Sequence, residues 1–194
     1  MGGLTMAKAV LISIRPEWVE KIANGEKTIE VRKTRPKLET PFKVYIYCTN
    51  QKNIMLWNAR SYIYVDDHNH NAFDRCWNGS VVGEFVCDRI DTINPETEPY
   101  GIYDVDDDFV AQTRLVDGAL WDYGKSATLY GWHISDLKIY DKLRELREFK
   151  KINRDCFYAE LGIAKRDCPD CKNSGCFLER PPQSWRYVEE LGHE

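Results

Sequence analysis

Three charged side chains in one short stretch are equipped to do chemistry together: Lys27, Glu30 and Arg32, within Gly25-Glu26-Lys27-Thr28-Ile29-Glu30-Val31-Arg32. Arginine offers a planar fork of N–H donors to a phosphate or a base edge, and lysine a point charge. A carboxylate accepts from an exocyclic amine. The set suits contact with a nucleotide-like ligand, and it equally suits an ion pair within a solvated strand face, where such pairs contribute little. For catalysis Lys27 is the candidate base, because burial disfavours an ammonium and brings its pKa toward the working range. Arg32 pushes the same way and Glu30 pushes back. Glu30 is the nearest carboxylate partner, and Thr28 the nearest hydroxyl.

Two aromatic clusters follow. Trp132 in Tyr130-Gly131-Trp132-His133, and Trp185 with Gln183 in Pro181-Pro182-Gln183-Ser184-Trp185, pair a flat ring with a polar neighbour, as stacking and edge-reading of a splayed base require. The competing reading has both indoles filling the core and Gln183 capping a backbone group. Trp132 and His133 alternate, so a regular strand cannot present both on one side.

Cys168, Cys171 and Cys176 form a Cys-x2-Cys-x4-Cys run, with Cys156 eleven intervening residues upstream. Four thiolates at such spacing close a tetrahedral structural zinc site, and free reduced thiols are the alternative. Disulfides are not expected in a reducing compartment. Cys48, Cys76 and Cys87 receive no role. Asp66, Asp67, His68 and His70 read as an exposed polar segment rather than a metal site.

The elements that must position these groups are short. Ala9 to Ile14 reads as a strand, and Pro16 at a first helical position opens a helix to Ala23 with Trp18, Val19 and Ile22 at helical spacing. Asn24-Gly25 ends it. Thr28 to Arg32 alternates as a strand with Thr28, Glu30 and Arg32 on one face, and Phe42 to Cys48 alternates likewise. Asn50 to Asn78 reads as an insertion, irregular apart from Ile54 to Tyr64. Gly79 to Ile93 reads as one long strand kinked at Gly83, and Asp106 to Tyr123 as short helices with Phe109, Val110, Leu115 and Leu120 buried. Leu129 to Tyr140 returns to strand, Asp141 to Phe149 is a charged turn, and the tail ends in a short strand after the Pro181-Pro182 loop.

With 194 residues, 43% of them hydrophobic, the chain sustains its own core. A formal net charge of -4 excludes indiscriminate binding to phosphate backbones, so any nucleic-acid contact is local. No stretch approaches the roughly eighteen apolar residues of a membrane span, and a cytoplasmic, non-membrane protein is expected. Met1 to Thr5 stand outside the fold reading.

The Gly-x-Lys-x-x-Glu-x-Arg stretch, placed after strand, short helix and turn, resembles the signature of the ASCH domain. GEFVCDRI, YGWHISDLKIYDK and RPPQSWRYVEEL resemble a phage and bacterial branch of that family. The resemblance implies an α+β fold of PUA-like type, one small β-barrel with short flanking helices; residues 6–194 then read as a single domain, in which the insertion at 50–78 and the Cys-rich knuckle at 156–176 are less well covered by the resemblance. It also implies a cleft for RNA or a modified nucleotide or nucleoside, for which the candidate contacts are Lys27, Thr28, Glu30 and Arg32 of the motif with Trp132, Gln183 and Trp185 from the aromatic clusters. A small ASCH subgroup resembles an amidohydrolase for acetylated cytidine; Lys27 and Glu84 fit its pattern, whereas Glu30 stands where its Thr would be. Three functions are therefore carried forward: binding of RNA or a nucleotide; hydrolysis of an acylated nucleoside or of RNA with Lys27 as base; and a protein-interaction role in phage and host conflict.

Overall fold

The computed structural model describes residues 7–50, 54–57, 62–65, 75–96, 102–115, 118–152 and 177–192, with 54–57, 62–65 and 75–76 as backbone only. The first half runs β1 (Lys8–Ile14), α1 (Pro16–Ala23), β2 (Ile29–Arg32), β3 (Phe42–Cys48), β4 (Ile54–Trp57), β5 (Tyr62–Val65), β6 (Arg75–Cys76), β7 (Val81–Cys87), β8 (Ile90–Ile93), β9 (Pro95–Glu96) and β10 (Ile102–Tyr103). It continues with α2 (Asp107–Thr113), α3 (Ala119–Gly124), β11 (Leu129–His133), β12 (Ser135–Arg144), a 3-10 turn at Leu146–Glu148 and β13 (Trp185–Glu189).

Two of the four sheets among the described residues build the core. A five-stranded sheet has the order β12-β7-β3-β1-β13, with β1 and β3 parallel and the other pairs antiparallel. A three-stranded antiparallel sheet has the order β2-β11-β8. The inner strands β1 and β3 are apolar on both faces because both faces are covered. Val10, Ile12, Ile14, Val44 and Ile46 enter the main core with α1 and Trp132, whereas Ala9, Leu11, Tyr45 and Tyr47 enter a second cluster with Phe149 and Val188. A third cluster seats α2 and α3 on the three-stranded sheet through Phe109, Leu120, Ile29 and Val31. Gly131 makes that approach possible, since a Cβ there would lie 2.8 Å from the Phe109 ring.

Helix α1 and strand β3 have the bounds their sequence signals predict. Three other elements differ, each for a topological reason. Gly79 to Ile93 is two strands rather than one, broken where the chain leaves the five-stranded sheet for the three-stranded one; a bulge shifts the register beside Gly83. Leu129 to Tyr140 is broken at Ile134, where β11 gives way to β12 and the chain crosses back. Strand β12 then continues through the supposed turn to Arg144, its exposed charges being those of a sheet edge. The region 50–78 holds a small sheet, β5-β4-β6. Among the described residues the ladders form separate sheets rather than one closed ring.

Candidate functional site

The site grows out of the turn between α1 and β2. Pro16 fixes the first helical φ, and Glu17 in the first turn and Lys21 in the last complement the helix dipole. At the other end Gly25 takes a positive φ of 73°, and the N–H groups of Glu26 and Lys27 both fold back to donate to the Lys21 carbonyl. That reversal delivers Lys27 to the start of β2, where alternation turns Glu30 and Arg32 to one side and Ile29 and Val31 into the core under α2.

Lys27 is 2% exposed and its ammonium meets three acceptors, one for each hydrogen: the carbonyls of Thr113 at 2.7 Å and Ile29 at 2.8 Å, and Glu30 Oε2 at 3.4 Å. It also stands 5.2 Å from the centroid of the Trp18 ring, a cation–π contact. Burial lowers its pKa, and the Glu30 carboxylate opposes that shift. The other Glu30 oxygen accepts from Arg32 at 3.0 Å, and the same Arg32 nitrogen donates to the Ser13 carbonyl at 2.7 Å. Two cations therefore share one carboxylate. The Arg32 Nε–H is buried and lacks a partner among the described residues, as does the Thr49 hydroxyl.

These groups form one wall of a cavity of about 480 Å³. Ser13 and Ile14 at the end of β1, Arg15 just after it, Thr49 after β3 and Trp18 from α1 line it as well. Leu115 and Tyr123, from the segment carrying α2 and α3, close the far side, and Gln183 and Ser184 reach in from the loop before β13. That loop is held by β1 itself: Ser13 N–H donates to the Ser184 carbonyl and Ser13 Oγ to the Pro182 carbonyl. Burial raises the pKa of the Tyr123 phenol, with Arg32 opposing.

Of the candidate residues, Lys27, Glu30, Arg32 and Gln183 meet at the cavity; four lie elsewhere. Thr28 precedes β2 proper, and its hydroxyl bonds to the Gln112 side chain at 3.2 Å, away from the cavity. Glu84 cannot partner Lys27. It sits across from Tyr45, on the other face of the five-stranded sheet, where Tyr140 donates to it at 2.5 Å and Lys43 approaches at 3.6 Å. Trp132 has no exposed surface and packs edge-on against Phe42, so it is a core residue rather than a stacking platform. Trp185 lies half-buried against Trp132, its indole N–H donating to Thr34 Oγ1. His133 turns the other way from Trp132 and meets Asp91 at 2.6 Å. Cys156, Cys168, Cys171 and Cys176 fall outside the described residues, as do Asp66 to His70; among the described residues no cluster of three metal-ligating side chains occurs. No described helix is long and apolar enough to cross a membrane.

Arg15, Trp18, Thr49 and Tyr123 are the site residues that sequence reasoning missed. Trp18 alone carried a signal, an indole at the helix edge just before the charged motif.

The ASCH family model matches residues 12–105. The chain carries an ASCH domain. The matched segment supplies the charged wall, Trp18 and Thr49, while Leu115, Tyr123 and Gln183 come from outside it. Among solved structures, the ASCH protein of Zymomonas mobilis is similar in fold, with a TM-score of 0.50 and 16% identity over 94% of this chain and 88% of that one. A tyrosine-to-phenylalanine variant of that protein matches with a TM-score of 0.49 and 16% identity, over 95% and 92% of the two chains. A serine-to-alanine variant matches with 0.48 and 15%, over 94% and 89%. Comparison with curated sequences gives no match.

Proposed function

We propose that this ASCH domain binds one nucleotide-like unit, an RNA residue or a free modified nucleotide or nucleoside, in the cavity bounded by Lys27, Glu30 and Arg32. One observation carries the reading. Two nearly buried cations are balanced by a single carboxylate, and the Arg32 Nε–H and Thr49 hydroxyl beside them are buried without partners. Buried donors left unpaired are costly, and a ligand that brings acceptors and negative charge removes the cost. The volume of about 480 Å³ suits a small molecule or a single extruded nucleotide. Trp18 and Tyr123 add aromatic rings to the lining, and Arg15 a further guanidinium.

Titration calorimetry with the four nucleoside monophosphates and with a short single-stranded RNA tests this. Arg32→Gln, shown by circular dichroism to remain folded, is expected to lose at least about tenfold in affinity. A wild-type protein that binds none of these ligands overturns the proposal. Hydrolysis with Lys27 as base is the weaker reading. A base needs a free lone pair, whereas each Lys27 hydrogen faces an acceptor and Glu84 is on another face.

The same proposal takes residues 6–194 as one PUA-like domain whose two main sheets, packed around Trp132, are the sides of its barrel. It places the protein in the cytoplasm and assigns structural zinc to Cys156, Cys168, Cys171 and Cys176. Metal analysis of the purified protein beside a Cys168→Ser, Cys171→Ser variant tests the zinc: about one equivalent in the first and none in the second is expected.

A further inference from the structure

The backbone of β2 holds a feature that its side chains hide. The Ile134 N–H donates to the Thr28 carbonyl, which sets the hydrogen-bonding phase of the β2 and β11 ladder. The pairs Glu30↔Trp132 and Arg32↔Tyr130 then exchange main-chain hydrogen bonds, and Val31↔Gly131 does not. Gly131 is turned instead toward β8, in phase with the bond from His133 N–H to the Arg89 carbonyl. The N–H and C=O of Val31 therefore point away from the sheet, along the open edge of β2. Val31 has its side chain in the core with Ile29 and Phe109, yet it borders the cavity. Its main chain is what faces the space.

The neighbouring edge groups are already taken. The Ile29 carbonyl accepts from Lys27, and the Lys33 N–H interacts with the Tyr123 hydroxyl. Between them the donor and acceptor of Val31 have no partner among the described residues. An added peptide strand needs edge groups open over several residues. Here one residue is open between two side-chain plugs, so the opening fits a planar group bearing one adjacent donor and acceptor. Each of the four nucleobases carries such a pair on its Watson–Crick edge.

We infer that the Val31 main chain reads a single unpaired base on its Watson–Crick edge, with the donor and acceptor of the base meeting the carbonyl and N–H of Val31. The inference rests on the nucleotide-binding reading above and specifies it: the cavity takes the base, and a base already paired in a duplex is excluded because the same edge is occupied.

The test uses the wild-type protein, since no side chain need change. The best-bound of the four nucleoside monophosphates is compared with its neutral analogue whose edge donor is methylated: 3-methyluridine, 1-methylguanosine, or the exocyclic dimethylated cytidine or adenosine, each as the monophosphate. The methylated form is expected to bind at least about tenfold more weakly, as a site left with unpaired polar groups demands. In parallel, the Val31 amide proton is expected to move downfield in nitrogen-edited NMR as the parent nucleotide is added, and a blunt RNA duplex is expected not to bind. Equal affinity for the methylated form, or a stationary Val31 amide during saturable binding, overturns the inference and leaves nucleotide binding standing. Failure of all four parent nucleotides to bind removes the inference, and failure of the single-stranded RNA to bind as well removes both.

Discussion

Two lysine-centred clusters lie on different sides of the same five-stranded sheet, and they are built from nearly the same parts. At the cavity, Lys27 and Arg32 share Glu30, giving one surplus positive charge, and two polar groups beside them are left over. On the other face Lys43 meets two carboxylates, Glu84 at 3.6 Å and Glu190 at 3.0 Å, and the Tyr140 hydroxyl donates to Glu84. Next to it Tyr45 Oη accepts from the Leu191 N–H, so this cluster fastens the end of β13 to the centre of the sheet. The two lysines respond oppositely. Burial pulls the Lys27 pKa down and Glu30 recovers only part of the shift; burial also pulls on Lys43, but Glu190 and Glu84 outweigh it and hold that pKa above its ordinary value. A network that closes on itself is a fastener, whereas one that leaves donors over awaits a partner.

The largest expected effect is from Lys27→Met. It leaves two carbonyls without their donor and Glu30 with Arg32 alone in a nearly buried cluster, which costs on the order of 3 kcal/mol, and the thermal midpoint should fall accordingly. Tyr140→Phe is next: it deletes one hydrogen bond to a carboxylate on the fastening side and should cost about 1 to 2 kcal/mol by denaturant unfolding, with nucleotide affinity unchanged. Lost affinity in that variant would erase the division between the two clusters. Thr49→Val should move the other way. Removing a buried hydroxyl that has no partner, with shape kept, should stabilise the free protein by about 0.5 to 1 kcal/mol and weaken nucleotide binding. A destabilised Thr49→Val would mean that its hydroxyl is already satisfied.

How far the sequence discloses this contrast depends on how local each signal is. Pro16, the Asn24-Gly25 stop and the alternation of Phe42 to Cys48 act within a few residues, and α1 and β3 begin and end where they predict. Lys27, Glu30 and Arg32 come together for the same reason, a turn followed by strand alternation. Thr28 shows the limit of that rule: it shares the parity of Glu30 but lies ahead of β2, where Gln112 of α2 holds it. Assigning Glu84 required knowing which face of a five-stranded sheet β7 presents beyond its bulge, and no local pattern carries that. Thr49 and Tyr123 reach the cavity through contacts remote in sequence, and Trp132 is core because two sheets meet over it. Alternation places side chains on faces; it does not say which face meets a cavity.

The subtlest effect is a pH dependence that separates the clusters by sign. The folded-state pKa of Lys43 lies above its ordinary 10.5, so protonated Lys43 is more stable in the folded chain than in the unfolded one. Its contribution is complete below 10.5 and is lost as pH rises through the raised folded value. The stability difference between wild type and Lys43→Met, about 1 kcal/mol by denaturant unfolding near pH 8, should therefore shrink toward about pH 11 and above. Lys27, lowered instead, contributes with the opposite sign: its buried charge costs stability below the lowered folded value, and deprotonation relieves that cost as pH rises from there to 10.5. A wild-type minus Lys43→Met difference that stays flat from pH 8 to 11 would mean that Glu84 and Glu190 do not hold Lys43 as a cation, and the fastening side would then rest on the Tyr140 and Tyr45 hydroxyls alone.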